Sequence, residues 1–301
     1  MKPVRLLSCL IFAAFNGHGQ VFTETITREL AFEKKGPANA LMILNVNGAV
    51  TVEGYNGDKV LVEVKKTIRA KTDARLEEGK QEIQLGIMDR ADTLICYVNG
   101  SCTPFGRAEG KKRKWKSKFG GWGYNWDNCC GKNCENRYEY TLDFTVRIPS
   151  SAHLVASTIN RGDVEVKSVS GSVVADNING GIKLSQISGA TNASCINGEV
   201  IVDYSGNPPA DSRFYSLNGD ITANFRKGLG AQLAFKSFNG DLYSSLTDLT
   251  SMPVQLEKTD KGGAGTKYRV SGNRYKVRQG GPLLDFETFN GDVIVKEKEN
   301  Q

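Results

Sequence analysis

The chain has 301 residues, 39 basic and 33 acidic side chains, a formal net charge of +6, seven cysteines and two histidines. That length buries an ample core, while so few histidines leave almost nothing on which to build a serine-histidine-acid centre, a cysteine-histidine centre or a histidine zinc site. The charge is uneven: between Gly100 and Tyr138 nine basic residues face only Glu109, Asp127 and Glu135, a local excess equal to that of the whole chain.

Lys2 and Arg5 precede an apolar run from Leu6 to Phe15, and small or polar residues follow up to Gly19. A run this short does not span a bilayer but fits the core of a secretory signal, so residues 1–19 are expected to be removed and the mature chain to start near Gln20. No later segment is apolar for long enough to cross a membrane. This address implies export, to the periplasm, the outer-membrane surface or the extracellular space. In an oxidising compartment Cys96, Cys102, Cys129, Cys130 and Cys134, which lie in or beside one segment, are disulfide candidates whose connectivity stays open. Cys195 stands apart and reads as a buried free thiol.

Residues 21–98 read as strands with one helical interruption. Val46-Asn47-Gly48 and Tyr55-Asn56-Gly57 each lead into alternating apolar residues, whereas Thr72 to Gln84 is rich in helix formers, with Thr72 or Asp73 placed to cap the start. Strand character returns from Thr93 to Val98. An insertion at about 99–138 follows, and Tyr140, Leu142, Phe144, Val146 and Ile148 then alternate up to Pro149.

From there a motif recurs. Asn160, Asn179, Asn197, Asn218 and Asn239 are spaced 19, 18, 21 and 21 residues apart, each after an apolar residue, all but Asn160 directly followed by glycine, and Asn290 repeats the pattern after a second irregular insertion at about 247–281. After most corners comes an alternating stretch, such as Ile182 and Leu184 or Val200 and Val202, which points into a core on one side only. Weaker turns at Ser170-Gly171 and Ser188-Gly189 make each rung two strands long. The period is too short for most helical repeats and suits a coil of short strands. The expected fold is therefore all-β: a β-solenoid, single-stranded β-helix-like, with about 18–21 residues per rung, one short helix and two irregular insertions, the whole of 20–301 forming one elongated domain.

Asn and Gly accept positive φ cheaply, which suits a corner repeated at every rung. With rungs about 4.8 Å apart in register, the corner asparagines form a column able to share side-chain hydrogen bonds. Asp163, Glu199, Asp220, Asp241 and Asp292 form a parallel column, interrupted at Gly181. Without a dense oxygen cluster it is read as accepting turn hydrogen bonds, and no metal site is expected. Arg161-Gly162-Asp163 falls on a corner and is read as part of the repeat. Lys261-Gly262-Gly263-Ala264-Gly265 lacks the ending of a phosphate loop and reads as a hairpin tip.

Ser157 to Val164 after Pro149, and Glu287 to Val293, together resemble the exported bacterial β-strand-repeat family named for adhesins, whose function is unknown and whose shape is similar to that of adhesin head domains. The resemblance covers nearly all of the mature chain and implies a β-solenoid and an envelope or surface location. It supplies no catalytic residues and no cofactor. The insertion departs from the family's simplest pattern.

That insertion is the best binding candidate. Lys111, Lys112, Arg113, Lys114, Trp115, Lys116, Lys118, Trp122, Tyr124 and Trp126 combine dense positive charge with aromatic faces. Such a set suits an anionic glycan, lipopolysaccharide or the membrane surface. Export disfavours nucleic acid. His153, the sole mature histidine, reads as structural, and no nucleophile elbow accompanies it. The leading expectation is a non-catalytic, adhesin-like interaction scaffold; the alternative is a β-helix enzyme acting on an acidic polysaccharide.

Overall fold

In a computed structural model of the chain, residues 19–100, 137–253, 256–260, 266–270 and 273–298 are described. The chain divides after Ser168 into two compact units. Strands dominate both, as the alternation predicts.

The first unit contains β1 (Gln20–Leu30), β2 (Ala40–Leu44), β3 (Val50–Tyr55), β4 (Val60–Ala70), α1 (Asp73–Glu82), β5 (Gln84–Asp89), β6 (Thr93–Asn99), β7 (Tyr138–Pro149), β8 (His153–Thr158) and β9 (Val164–Lys167). One of its sheets runs β1-β4-β7-β3-β9, and the other β8-β2-β6-β5. β3 lies parallel between β7 and β9, and β2 lies parallel between β6 and β8, so a strand of one sheet passes through a corner into a strand of the other. β1, β4 and β5 are added antiparallel at the margins. α1 starts where its cap predicts: Thr72 is extended, and its side chain accepts from Arg75 N. Its Gly79 is needed for packing, since a Cβ there would meet Ile68 Cγ2 at 2.7 Å and the Tyr138 ring at 2.8 Å.

The second unit holds five strand-corner-strand rungs, whose members are β10 (Val173–Asn179) with β11 (Ile182–Ile187), β12 (Thr191–Asn197) with β13 (Val200–Tyr204), β14 (Ser212–Asn218) with β15 (Ile221–Arg226), β16 (Ala231–Lys236) with β17 (Leu242–Ser244), and a last pair introduced below. Between Leu249 and Val277 come β18 (Leu249–Ser251), β19 (Leu256–Asp260), β20 (Thr266–Val270) and β21 (Asn273–Val277). The last rung is β22 (Leu283–Asn290) with β23 (Val293–Lys298).

Its sheets run β11-β13-β15-β23-β17, all parallel, and β10-β12-β14-β22-β16, parallel until β21 and β18 close it antiparallel. The rungs therefore do not stack in chain order. β22 and β23 are threaded between the rung of Asn218 and the rung of Asn239, a departure from the sequential coil expected from spacing. The same holds in the first unit, where the early β2 and β3 lie between later strands. The reason is that all rungs present similar edges, so a later segment able to close the chain back into a gap pairs as well as a consecutive one.

In the stretch from 247 to 281 the described residues include four strands, more than expected. Its β21 covers the edge of β16, and β19 and β20 form an antiparallel hairpin. The glycine run at its tip lies outside the described residues.

The inward side chains form the core. Val173, Ala175, Ile182, Leu184, Val200, Val202, Ile221, Val293 and Val295 are buried, and stacked aromatic pairs pack with them: Phe214 on Phe286 at 4.8 Å, and Tyr204 on Phe225 at 5.0 Å. Truncating one such ring to alanine removes contacts worth ~3–5 kcal/mol. Burial in this layer pushes the Tyr204 phenol up to about 12.

Candidate functional site

The corners consume the repeat's polar residues. Asn197 Nδ2 donates to Asn179 Oδ1 (2.9 Å), Asn218 to Asn197 (3.0 Å), Asn290 to Asn218 (2.8 Å) and Asn239 to Asn290 (2.9 Å). The order follows space, not chain. In the first unit Asn160 bridges Asn47 in parallel. The acidic column behaves likewise: Asp220 Oδ1 accepts from the main-chain N–H of Asp292 (2.8 Å), and Asp292 Oδ1 from that of Asp241 (2.9 Å). Among the described residues no group of three histidines, cysteines or acids is placed to hold a metal ion.

The corner glycines are explained only partly by φ. Gly219 has φ +151°, but Gly198 has no such value, and a Cβ on it would meet Gly180 O at 2.4 Å. Nor does any corner asparagine have positive φ; they are there for the ladder, and the glycines for close stacking.

A second, inner column went unread in the sequence. Two residues before each corner asparagine sits a small polar side chain: Asn45, Thr158, Asn177, Cys195, Ser216, Ser237 and Thr288. Thr158 Oγ1 donates to Gly48 O (2.7 Å), Cys195 Sγ to Gly180 O (3.0 Å), Ser216 Oγ to Gly198 O (2.9 Å) and Thr288 Oγ1 to Gly291 O (2.8 Å). A turn carbonyl that faces the core needs a donor, and a short polar side chain supplies it. The signal was available: position minus two is never aliphatic. Cys195 is thus a buried thiol serving as one of these donors.

With the corners occupied by the scaffold, the outward strand faces remain. On the β10-β12-β14-β22-β16 sheet, Val174, Asn192, Arg213, Asp285 and Ala234 fall in one transverse row, and Asp176, Ser194, Tyr215, Glu287 and Lys236 in the next. A shallow groove of about 360 Å³ crosses the first row, lined by Val174, Asn192, Asp211, Arg213, Leu283 and Asp285 among others. Arg213 Nη2 donates to Glu287 Oε2 (2.7 Å), Lys236 Nζ to Glu287 Oε1 (2.7 Å), and Arg213 Nε lies 3.7 Å from Asp285 Oδ2 without hydrogen bonding. Burial raises the Asp285 carboxyl, with Glu287 adding to it and Arg213 opposing. Burial pushes Glu287 the same way, but the hydrogen bonds and charges of Lys236 and Arg213 prevail and hold it low. Two adjacent carboxyls are thereby shifted in opposite directions, Asp285 up by burial and Glu287 down by its cationic partners.

The residues expected to bind, Lys111, Lys112, Arg113, Lys114, Trp115, Lys116, Lys118, Trp122, Tyr124 and Trp126, lie outside the described residues, as do Cys102, Cys129, Cys130, Cys134 and residues 1–18. Cys96 is described as a free thiol, completely buried in β6, and burial pushes it up to about 12. His153 opens β8, and its main-chain N–H donates to Asn39 O (2.8 Å). Arg161, with φ 63°, pairs with Glu139 at 2.9 Å. Among the described residues no helix is long and apolar enough to cross a membrane.

No protein-family model and no curated protein matches the chain. Three solved structures show a likeness. One, named "putative cell adhesion protein", from Clostridium sporogenes, is 9% identical with a TM-score of 0.34, covering 93% of this chain and 100% of its own. The second, a "putative adhesin" from Bacteroides fragilis, is 14% identical with a TM-score of 0.33, covering 91% and 97%. The third, a "putative adhesin" from Parabacteroides merdae, is 9% identical with a TM-score of 0.22, covering 91% and 96%. Scores this low decide neither fold nor function.

Proposed function

We propose that the chain is an exported β-solenoid that works as a non-catalytic, adhesin-like interaction scaffold of the cell envelope. One observation carries this reading: the asparagines and acids that the repeat places in columns are engaged in hydrogen bonds from rung to rung, so the most regular chemistry of the molecule builds the scaffold itself. In-register parallel pairing over five rungs of the second unit supports the solenoid reading. The basic, aromatic segment 107–126 is assigned the contact with an anionic glycan, lipopolysaccharide or membrane surface, on the strength of its seven basic residues against the single Glu109. The test is binding of the purified chain and of a variant lacking residues 107–126 to panels of acidic glycans, lipopolysaccharide and anionic vesicles. Loss of binding in the variant is expected; equal binding by both proteins sinks the assignment.

A second reading has one specific support. Asp285, with its raised carboxyl beside Arg213 in a groove that also holds Asp211, has the features of an acid acting on a polysaccharide. Release of new sugar ends from acidic polysaccharides, abolished by Asp285→Asn, would establish it in place of the scaffold reading.

A further inference from the structure

Within the second unit, each inner rung is met on both sides by another rung. β17 differs in its sheet: β23 lies on one side and, among the described residues, no strand on the other. Asp241 O accepts from Val293 N, and Ser245 N donates to Val295 O at 3.0 Å. The backbone groups of 241, 243 and 245 therefore face β23, and those of Leu242 and Ser244 face away. A three-residue edge is a usual form of protection against unwanted pairing, normally reinforced by charge. Here aromatic surface takes the place of charge. Phe238 is 74% exposed, Tyr243 54% and Phe289 45%, three of the four large apolar side chains exposed among the described residues.

The same rung has three further contacts open among the described residues, and the neighbouring rung of Asn290 makes the amide and carboxylate ones. The Phe238 ring lies flat on Phe289 at 4.9 Å and 3°, so Phe289 covers one of its faces. Asn239 donates to Asn290, but among the described residues no donor reaches its own Oδ1. The main-chain N–H of Asp241 is held by Asp292, while the Asp241 carboxylate receives no corresponding N–H among the described residues. Ring face, amide oxygen, carboxylate and strand edge thus lie together, in the spacing that a Phe-Asn-Gly-Asp corner of the next rung would fill.

We propose that this end of the second unit is a strand-docking site for an extended peptide segment, supplied by another polypeptide, that carries an aromatic-Asn-Gly-Asp corner followed by an alternating apolar strand. The partner strand adds parallel to β17, accepts from and donates to Leu242 and Ser244, and extends both the amide ladder and the ring stack. Backbone pairing gives affinity, and the corner gives register. The amide ladder, the shorter run of carboxylate contacts, the ring pair and the strand pairing all end at this rung, which selects a peptide over a sugar or lipid, neither of which matches the main-chain groups.

The probe is a synthetic peptide spanning Glu287–Lys296, the chain's own rung, titrated into the purified full chain by fluorescence anisotropy. Saturable binding is expected, at least tenfold weaker with Phe238→Ser and with Ser244→Pro, weakened when the peptide carries Asn290→Ala, and absent for a scrambled peptide. The thermal melt of Phe238→Ser should stay near that of the parent, since the position is exposed, and that of Ser244→Pro should fall slightly, since it also loses the bond from Leu246 N to Ser244 Oγ. Equal binding of the scrambled peptide, undiminished binding by both variants, or no binding at millimolar peptide each overturns the proposal. So does self-association of the chain that Ser244→Pro abolishes without any peptide binding, which would make a second copy the occupant.

Discussion

At the scale of single residues, two side chains make separable predictions. Asn290 sits in the middle of the ladder, giving one amide hydrogen bond and receiving another, whereas Asn239 at its end only gives. Both are exposed, so each bond contributes modestly, ~0.5–1 kcal/mol. Asn290→Ala should lower stability in urea unfolding by about 1–2 kcal/mol, and Asn239→Ala by roughly half of that; equal losses would mean that the ladder does not act as a chain of pairs. Lys66 is a different case. Its side chain is 2% exposed, its ammonium donates to Lys80 O at 2.8 Å at the end of α1, and Glu24 lies 3.9 Å away. Burial depresses its proton affinity, Glu24 resists this, and Lys80 adds to it. Below the folded-state value both states are charged, and the cost of burying the charge stands in full. As pH climbs from that depressed value towards the ordinary 10.5, the native state sheds its proton first and gains stability. The stability of the parent relative to Lys66→Met should therefore rise with pH across the alkaline range, measured by urea melts at a series of pH values. A flat difference would remove Lys66 from the account.

At the scale of elements, much of the fold was legible and one large feature was not. Alternation in Tyr138–Pro149, the cap at Thr72 and the corners themselves all translate directly into β7, α1 and the turns between strands, because each is a local preference. Rung order is not local. Every rung offers a similar row of apolar side chains and the same corner, so nothing near Asn290 states that its neighbours are Asn218 and Asn239. The candidate groove was hidden for the same reason: Arg213 and Asp285 lie far apart in sequence and meet only because β22 inserts beside β14. This topology makes a prediction that a sequential coil does not. Ending the chain after Gly280 removes β22 and β23, which in a sequential coil would merely shorten one end. In the observed order it removes Phe286, Val293 and Val295 from between the rungs of Asn218 and Asn239, leaves β17 unpaired among the described strands, separates β16 from β14, and opens one edge each of β14 and β15, which keep β12 and β13. Limited proteolysis of such a fragment should show β16 and β17 digested while the rungs from Val173 to Arg226, which keep their own pairing, stay protected. Protection of β16 and β17 together with the rungs up to Arg226, as a sequential coil would give, would contradict the threaded order.

At the scale of the whole molecule, the charge excess and the exposed rings belong to different segments of the chain, and that division can be read by salt. The segment 107–126 holds a net excess equal to the chain's entire formal charge, so contact with an anionic surface through it is a sum of long-range attractions between solvated charges. Such attractions fade as the screening length falls from about 30 Å at low salt to about 8 Å near physiological ionic strength. The strand edge at Phe238, Tyr243 and Ser244 works through ring contact and main-chain hydrogen bonds, which act only at close range. Binding to anionic vesicles should accordingly weaken by at least tenfold between 0.01 M and 0.15 M salt, orders of ionic strength spanning that change in screening, while binding of the Glu287–Lys296 peptide changes little over the same range. Removal of residues 107–126 should abolish the first and spare the second; Phe238→Ser should do the reverse. If one substitution disables both, the two surfaces are coupled and the division of the chain into an electrostatic contact and a strand-docking edge is wrong.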